Sequence, residues 1–109
     1  MERGKQKRLE ARGWRVGSTG TFLKLSPEEV ALVEMKVNLS QSLRARREAR
    51  GLSQLALAKQ LRSSQSRVAK MEAADRTVSI DLLIRGLVIL GAKPRDIARA
   101  LGRETGAAA

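Results

Sequence analysis

The stretch from Ser53 to Glu72, SQLALAKQLRSSQSRVAKME, decides the fold of this 109-residue chain. A serine stands before each of its two apolar-periodic runs, where its side chain can accept a hydrogen bond from the first turn of a helix. Only Arg62 and Ser63 remain between the runs, which leaves room for a tight turn. The stretch therefore predicts two short helices, Gln54 to Leu61 and Gln65 to about Ala73, joined by that turn.

The second of these helices has two unlike sides. Its inward side carries Val68 and Met71, which would pack against the leucines of the preceding helix. Its outward side carries polar residues with no carboxylate before Glu72, namely Gln65, Ser66, Arg67 and Lys70. Polar side chains that are not acidic and can reach base edges suit the major groove of DNA, which admits one helix.

Three further helices are predicted around this pair. Ser26-Pro27-Glu28-Glu29 is a capping box with proline at the first helical position, and it starts a helix that runs to about Arg50. Ser79 caps a helix that runs to about Leu90. Lys93-Pro94 opens a last helix, Arg95 to Leu101, and Gly102 ends it. No stretch alternates convincingly as a strand does, so the predicted fold class is all-α.

The long first helix carries two apolar stripes at helical spacing. One stripe consists of Leu32, Met35, Leu39 and Leu43, and the other of Val30, Val33 and Val37. Two stripes exceed what one internal core needs. We therefore expect the valine stripe to contact either a second subunit or the segment 14–23.

The segment 1–25 forms a basic, glycine-rich arm, with seven lysines and arginines against two glutamates. Such a composition is typical of a mobile segment. The arm also holds the only tryptophan, Trp14, and the only phenylalanine, Phe22, which are expected to dock on the domain or on a partner. The arm as a whole is a solubilising tail, enters a DNA groove, or wraps a partner. Residues 26–103 would be the folded domain and 104–109 a frayed tail.

Composition excludes several classes of function. The formal net charge is +11, which favours a polyanionic partner such as DNA. The chain has no cysteine and no histidine, so disulfides, thiolate or imidazole metal sites and Ser-His or Cys-His catalysis are ruled out. We expect no enzyme activity and no cofactor. No long apolar run marks a signal peptide or membrane helix, so a cytoplasmic, nucleoid-associated location is expected.

Three runs of residues together resemble the Xre/Cro/C1-type helix-turn-helix family of phage repressors and bacterial regulators. They are Leu43-Arg44-x-x-Arg47-x-x-x-Gly51-Leu52-Ser53-Gln54, Leu57-Ala58-x-x-Leu61 and Ser64-Gln65-Ser66-Arg67-Val68-Ala69-Lys70-Met71-Glu72. The resemblance covers about residues 43–90 and implies a lambda-repressor-like domain of five helices. The long first helix, preceded by Gly-Trp-Arg-Val-Gly, is similar to that of HigA-type antitoxins within the family.

The resemblance implies a role for each matching position. Gln65, Ser66 and Lys70 match base-reading positions, and Gln54 matches a position that donates to a phosphate and steadies the second helix of the motif. Arg44 or Arg47 would pair with Glu72 inside the domain. Phosphates or bases would also be contacted by Ser64 and Arg67. Apart from the resemblance, Arg46 and Arg62 are either phosphate contacts or plain surface charges.

The chain departs from the family pattern at both ends of the second motif helix. Arg62-Ser63 stands where the family has glycine and an apolar residue, so Arg62 needs a left-handed backbone or a shifted turn. In the loop that follows the helix, Ala74 and Val78 stand where glycine and proline are common. These departures affect the expected orientation of the helix more than the fold.

The predicted function is that of a sequence-specific duplex-DNA-binding regulator, a repressor that acts as a homodimer. A subtype is an antitoxin of a type II pair, which would also bind a toxin protein through residues 1–25 and the valine stripe. The alternative is a helical protein-interaction adaptor that has lost DNA reading, and this would bind duplex DNA with little salt dependence.

Overall fold

The computed structural model describes residues 25–102, which contain five helices and no strand. The helices are α1 (Pro27–Ala49), α2 (Gln54–Leu61), α3 (Gln65–Glu72), α4 (Ile80–Ile89) and α5 (Pro94–Leu101). The predicted all-α fold class is confirmed. Every predicted helix is present, with ends that agree closely with the predicted ones. Residues 1–24 of the predicted arm, with Trp14 and Phe22, and the tail 104–109 lie outside the described residues.

Serine side chains start four of the five helices, as the sequence predicts. Each serine oxygen accepts the backbone N–H of the residue three positions later, at 3.0–3.1 Å; the four are Ser26, Ser53, Ser64 and Ser79. The fifth helix starts differently, because the Lys93 N–H donates to the Asp96 carboxylate at 2.8 Å. Each bond satisfies a backbone group that the helix itself leaves unpaired.

The main core lies between α1 and the four shorter helices. Its largest fully buried members are leucines from α1, α2 and α4 with one valine and one methionine from α3: Leu39, Leu43, Leu57, Leu83, Leu87, Val68 and Met71. Gly86 permits the close approach of α1 and α4, because a Cβ there would lie 3.0 Å from Leu43 Cδ1 and 3.1 Å from Met71 Cε. This contact accounts for a glycine inside a helix, where it costs about 1 kcal/mol relative to alanine.

A second, smaller core bears on the two contacts expected for the valine stripe of α1, of which one, the segment 14–23, lies outside the described residues. Val33 and Val37 are 3% and 4% exposed, and they pack with Ala74 and Leu25. They are therefore covered within the chain and do not form a free face for a second subunit, while Val30 remains partly exposed. Leu32, which the leucine stripe places in the core, is 52% exposed. The core side of α1 thus shifts from the valines in its first half to Leu39 and Leu43 in its second.

Candidate DNA interface

A left-handed residue makes the tight turn between α2 and α3. Arg62 has φ 54° and ψ 47°, which confirms the first of the two expectations for this position. The Arg62 N–H donates to Lys59 O at 3.2 Å, and the Ser63 N–H donates to Ala58 O at 2.8 Å. This pair of bonds closes the end of α2 in the manner of a Schellman motif and directs the chain immediately into α3.

The two sides of α3 differ as the sequence predicts. Val68 and Met71 have no exposed surface and fix the helix to the core. The residues of the other side, Gln65, Ser66, Arg67, Ala69 and Lys70, are all exposed. The structure therefore places the three predicted base-reading side chains together on one accessible side of an eight-residue helix.

A polar concavity of about 250 Å³ borders this side of α3, and we call it the α3 pocket. Its lining combines residues of α3 and of the loop between α3 and α4: Ser64, Ser66, Arg67, Lys70, Thr77 and Val78. Thr77 and Val78 were not predicted as site residues. The sequence does show a hydroxyl residue, Thr77, in the loop directly after the motif. It does not show that this loop folds back towards α3, so Thr77 could not be assigned to the site.

An internal ion pair fixes the last turn of α3 to α1. Arg47 donates from Nε and Nη2 to the two carboxylate oxygens of Glu72, at 2.5 and 3.0 Å, and from Nη1 to Leu52 O at 2.6 Å. The side chains of Arg47 and Glu72 are 11% and 5% exposed. The hydrogen bonds that Arg47 donates to Glu72 raise the pKa of Arg47 above its ordinary value, against the opposing effect of burial. Of the two arginines predicted to pair with Glu72, Arg47 does so, while Arg44 lies on the surface beside Glu48.

The amide of Gln54 completes this cluster. Its Nε2 donates to Glu72 Oε1 at 3.1 Å, so the start of α2 is connected to the end of α3. Of the two parts expected of Gln54, the contact that steadies α3 is visible, whereas a phosphate contact would use the remaining hydrogen-bonding groups of the amide.

Arg46 lies apart from the α3 pocket. Its Nη2 is 3.8 Å from Asp96 Oδ2, which joins α1 to α5. Together with Ser42, Arg99 and Ala100, this pair lines a separate concavity of about 160 Å³. The structure therefore does not group Arg46 with the predicted α3 residues. Arg62, by contrast, is exposed at the turn directly before α3.

The loop that forms the other wall of the α3 pocket is ordered by Asp75. Its Oδ1 accepts the Thr77 N–H at 2.9 Å and the Thr77 hydroxyl at 2.6 Å. The same bonds from Thr77 lower the pKa of Asp75, with smaller contributions from the charges of Lys70 and Lys36. The Asp75 carboxylate is thus occupied by its own loop.

With this geometry in place, comparison with known proteins gives one match. The model of a family described as helix-turn-helix domain matches residues 38–104. The chain belongs to the helix-turn-helix domain family. No curated protein and no solved structure matches the chain. The matched segment contains all of α2 to α5 and the second half of α1, and family membership favours a DNA-binding role for α3.

The described residues were also compared with the requirements of a metal site and of a membrane-spanning helix. Within residues 25–102 no group of three acidic side chains is placed to hold a metal ion. None of the helices in this described part of the chain is long and apolar enough to cross a membrane.

Proposed function

We propose that this protein is a sequence-specific duplex-DNA-binding transcriptional regulator that reads base edges with α3. The observation that carries the proposal is that one side of α3 is buried in the core and the other is exposed. Val68 and Met71 fix its back in the core, while Gln65, Ser66 and Lys70 lie exposed and accessible to the major groove. Glutamine suits adenine and lysine suits guanine at such positions, and serine accepts more than one base.

The charges around α3 support a polyanionic partner. The two carboxylates at the end of α3 and in the loop after it are engaged inside the protein, Glu72 with Arg47 and Asp75 with Thr77. Arg67 and Lys70 are exposed on the helix itself. Arg47 neutralises Glu72, and Arg67 and Lys70 together outnumber the one remaining negative charge, that of Asp75. The local charge is therefore positive, in line with the net charge of +11, and attracts a phosphate backbone.

The finer proposal is a repressor of the Xre/Cro/C1 type that binds a two-fold operator as a homodimer. A symmetric dimer would place two α3 helices in successive major grooves, about 34 Å apart. The HigA-like antitoxin subtype, with a toxin protein as second partner, is supported only by the long α1, whose first half precedes the family-matched segment. An adaptor without DNA reading is the alternative, and the experiment below separates it.

The test is selection of duplex sites from a random pool at a stated salt concentration, followed by binding measurements on two variants. Gln65→Ala and Lys70→Ala should each weaken binding to the selected site by about 1–3 kcal/mol, because each removes a base contact. Matched controls are Gln41→Ala and Lys93→Ala, which change exposed residues on α1 and before α5. Equal affinity of wild type and both α3 variants would refute the assignment, and no selected site at all would favour the adaptor.

A further inference from the structure

The first half of α1 contacts the loop that follows α3. Lys36 Nζ donates to the carbonyl oxygen of Arg76 at 3.1 Å, across 40 residues of sequence. Beside it, Val33 and Val37 pack against Ala74. All three α1 residues precede position 38, where the family-matched segment begins. This bracing of the loop is therefore contributed by a part of the chain outside the matched domain.

Lys36 is an unusual residue for such a contact, because it is only 9% exposed. Burial lowers the pKa of its ammonium group, and the nearby charge of Asp75 opposes that effect. A buried lysine is costly unless its N–H groups are bonded. The hydrogen bond to Arg76 O offsets part of this cost. Because Lys36 is buried, this bond is shielded from water, unlike the contacts of an exposed lysine.

The loop braced in this way is one wall of the α3 pocket. Arg76, whose carbonyl Lys36 holds, is followed directly by Thr77 and Val78, which line the concavity together with Ser66, Arg67 and Lys70. Asp75 fixes the inner shape of the loop through its bonds to Thr77. Those bonds do not fix the distance of the loop from α1. That distance is fixed by the hydrogen bond from Lys36 to Arg76 O and by the packing of Ala74 against Val33 and Val37.

We propose that Lys36 is a positioning residue for DNA binding: it holds the 75–78 loop in the position in which the loop forms one wall of the α3 pocket and leaves Ser66 and Lys70 accessible to DNA. The inference rests on the proposed function for its DNA readout. Lys36 itself touches no DNA in this arrangement. Its effect passes through the Arg76 carbonyl to Thr77 and Val78, which form that wall of the pocket.

The first test compares Lys36→Met, which loses the donor, with Lys36→Arg, which keeps a charged donor. Lys36→Met should weaken binding to the selected site about 5- to 10-fold, the equivalent of one hydrogen bond, and Lys36→Arg should restore most of that loss. Lys93→Met removes the same charge away from the pocket and should change affinity less than about 2-fold. Equal affinity of wild type and Lys36→Met would overturn the proposal.

The salt dependence of binding separates positioning from direct contact. If Lys36 acts through the loop, the slope of log K against log salt in Lys36→Met equals that of wild type. A slope smaller in magnitude by about 0.9 would show that Lys36 neutralises a phosphate itself, which would refute the positioning role. The double variant Lys36→Met/Thr77→Ala should bind no more weakly than the weaker single variant, and fully additive losses would contradict the route through Thr77.

A second readout needs no DNA and so distinguishes failure of this inference from failure of the proposed function. The amide hydrogens of Thr77 and Val78, bonded to Asp75, should exchange faster in Lys36→Met and at the wild-type rate in Lys36→Arg. Unchanged exchange in Lys36→Met would overturn the inference even if DNA binds. If Lys36→Met does not fold, Lys36→Gln, whose side chain is one bond shorter and uncharged, is used and should show the same faster exchange.

Discussion

Two turns bound α3, and they share a backbone conformation but differ in what holds them. Arg62 before the helix and Ala74 after it both have φ 54°, the left-handed region that favours glycine. Arg62 is exposed, and its turn is closed by two backbone hydrogen bonds. Ala74 has no exposed surface and lies in the small core with Val33 and Val37.

The difference shows two ways to stabilise the same strained conformation. A left-handed backbone costs an L-residue about 1–2 kcal/mol. At Arg62 the compensation is local, since both hydrogen-bond acceptors lie in the last turns of α2. At Ala74 local bonds are also present, from the Ala74 N–H to Met71 O and from the Asp75 N–H to Lys70 O. In addition, the methyl group of Ala74 is buried, so the cost is offset by contacts with the distant first half of α1.

The largest effect on stability is expected from removing the ion pair that holds α3, the helix between the two turns, against α1. Glu72→Ala would leave Arg47 buried without its partner and remove the acceptor of Gln54, and we expect a loss of about 3–5 kcal/mol in the free energy of unfolding. Urea denaturation followed by circular dichroism measures this. Glu48→Ala is the matched control, because its ion pair with Arg44 is exposed at 3.5 Å and should cost less than about 1 kcal/mol. Similar losses in the two variants would show that the Arg47–Glu72 pair does not fix α3.

The two turns can be compared directly with one substitution at each. Arg62→Gly should raise the free energy of unfolding by roughly 1 kcal/mol, because glycine adopts the left-handed conformation without strain. Arg62→Ala is its control, since it removes the same side chain and keeps the strain. Ala74→Gly should gain much less or nothing, because the relief of strain is offset by about 0.8 kcal/mol for the buried methyl group.

These values come from thermal or urea unfolding of the three variants under the same conditions. Equal gains in stability for Arg62→Gly and Ala74→Gly would mean that the second turn, like the first, is stabilised only by nearby backbone hydrogen bonds. The small core around Ala74 would then contribute nothing to the loop, which would also weaken the role given to Val33 and Val37.

The same contrast explains which features the sequence could predict. The serine caps and the bounds of α2 and α3 depend on neighbours close by in the chain, and they were predicted. For Arg62, a left-handed backbone was one of the two expectations. Leu39 and Leu43 were also placed correctly in the core. The exposure of Leu32 and the packing of Val33 and Val37 against Ala74 were not predicted, because the side of α1 that is covered depends on where the 73–78 loop lies.

The candidate site divides in the same way. Gln65, Ser66, Arg67 and Lys70 could be placed on one exposed side from helical spacing alone. Their contact with DNA stays a prediction, since the fold shows only that they are accessible together. Thr77 and Lys36 could not be found from the sequence, because a helix and a loop far apart in the chain must meet before either residue acquires its place. The sequence predicted either Arg44 or Arg47 as the partner of Glu72. Only the packing of α1 shows that the partner is Arg47.

The smallest effect concerns acid stability of the second turn. Because the Thr77 bonds lower the pKa of Asp75 in the folded state, the unfolded chain takes up a proton more readily. The stabilisation by Asp75 is therefore complete above about pH 4–5, the range above the pKa of an unperturbed aspartate, and is lost as the pH falls through the lower folded value. Asp75→Asn cannot titrate but keeps an oxygen acceptor for Thr77.

Asp75→Asn should lower stability at pH 7 by less than about 1 kcal/mol, the net contribution of an ordinary hydrogen bond. Between pH 5 and pH 3 the variant should lose stability less steeply than wild type, because one carboxylate no longer takes up a proton. Urea midpoints measured across this range test the expectation. Asp81→Asn serves as the comparison, since Asp81 is exposed at the start of α4 and outside the loop. If Asp75→Asn and wild type lost stability with the same slope, the Asp75–Thr77 bonds would not stabilise the loop, and the second turn would depend on Ala74 and Lys36 alone.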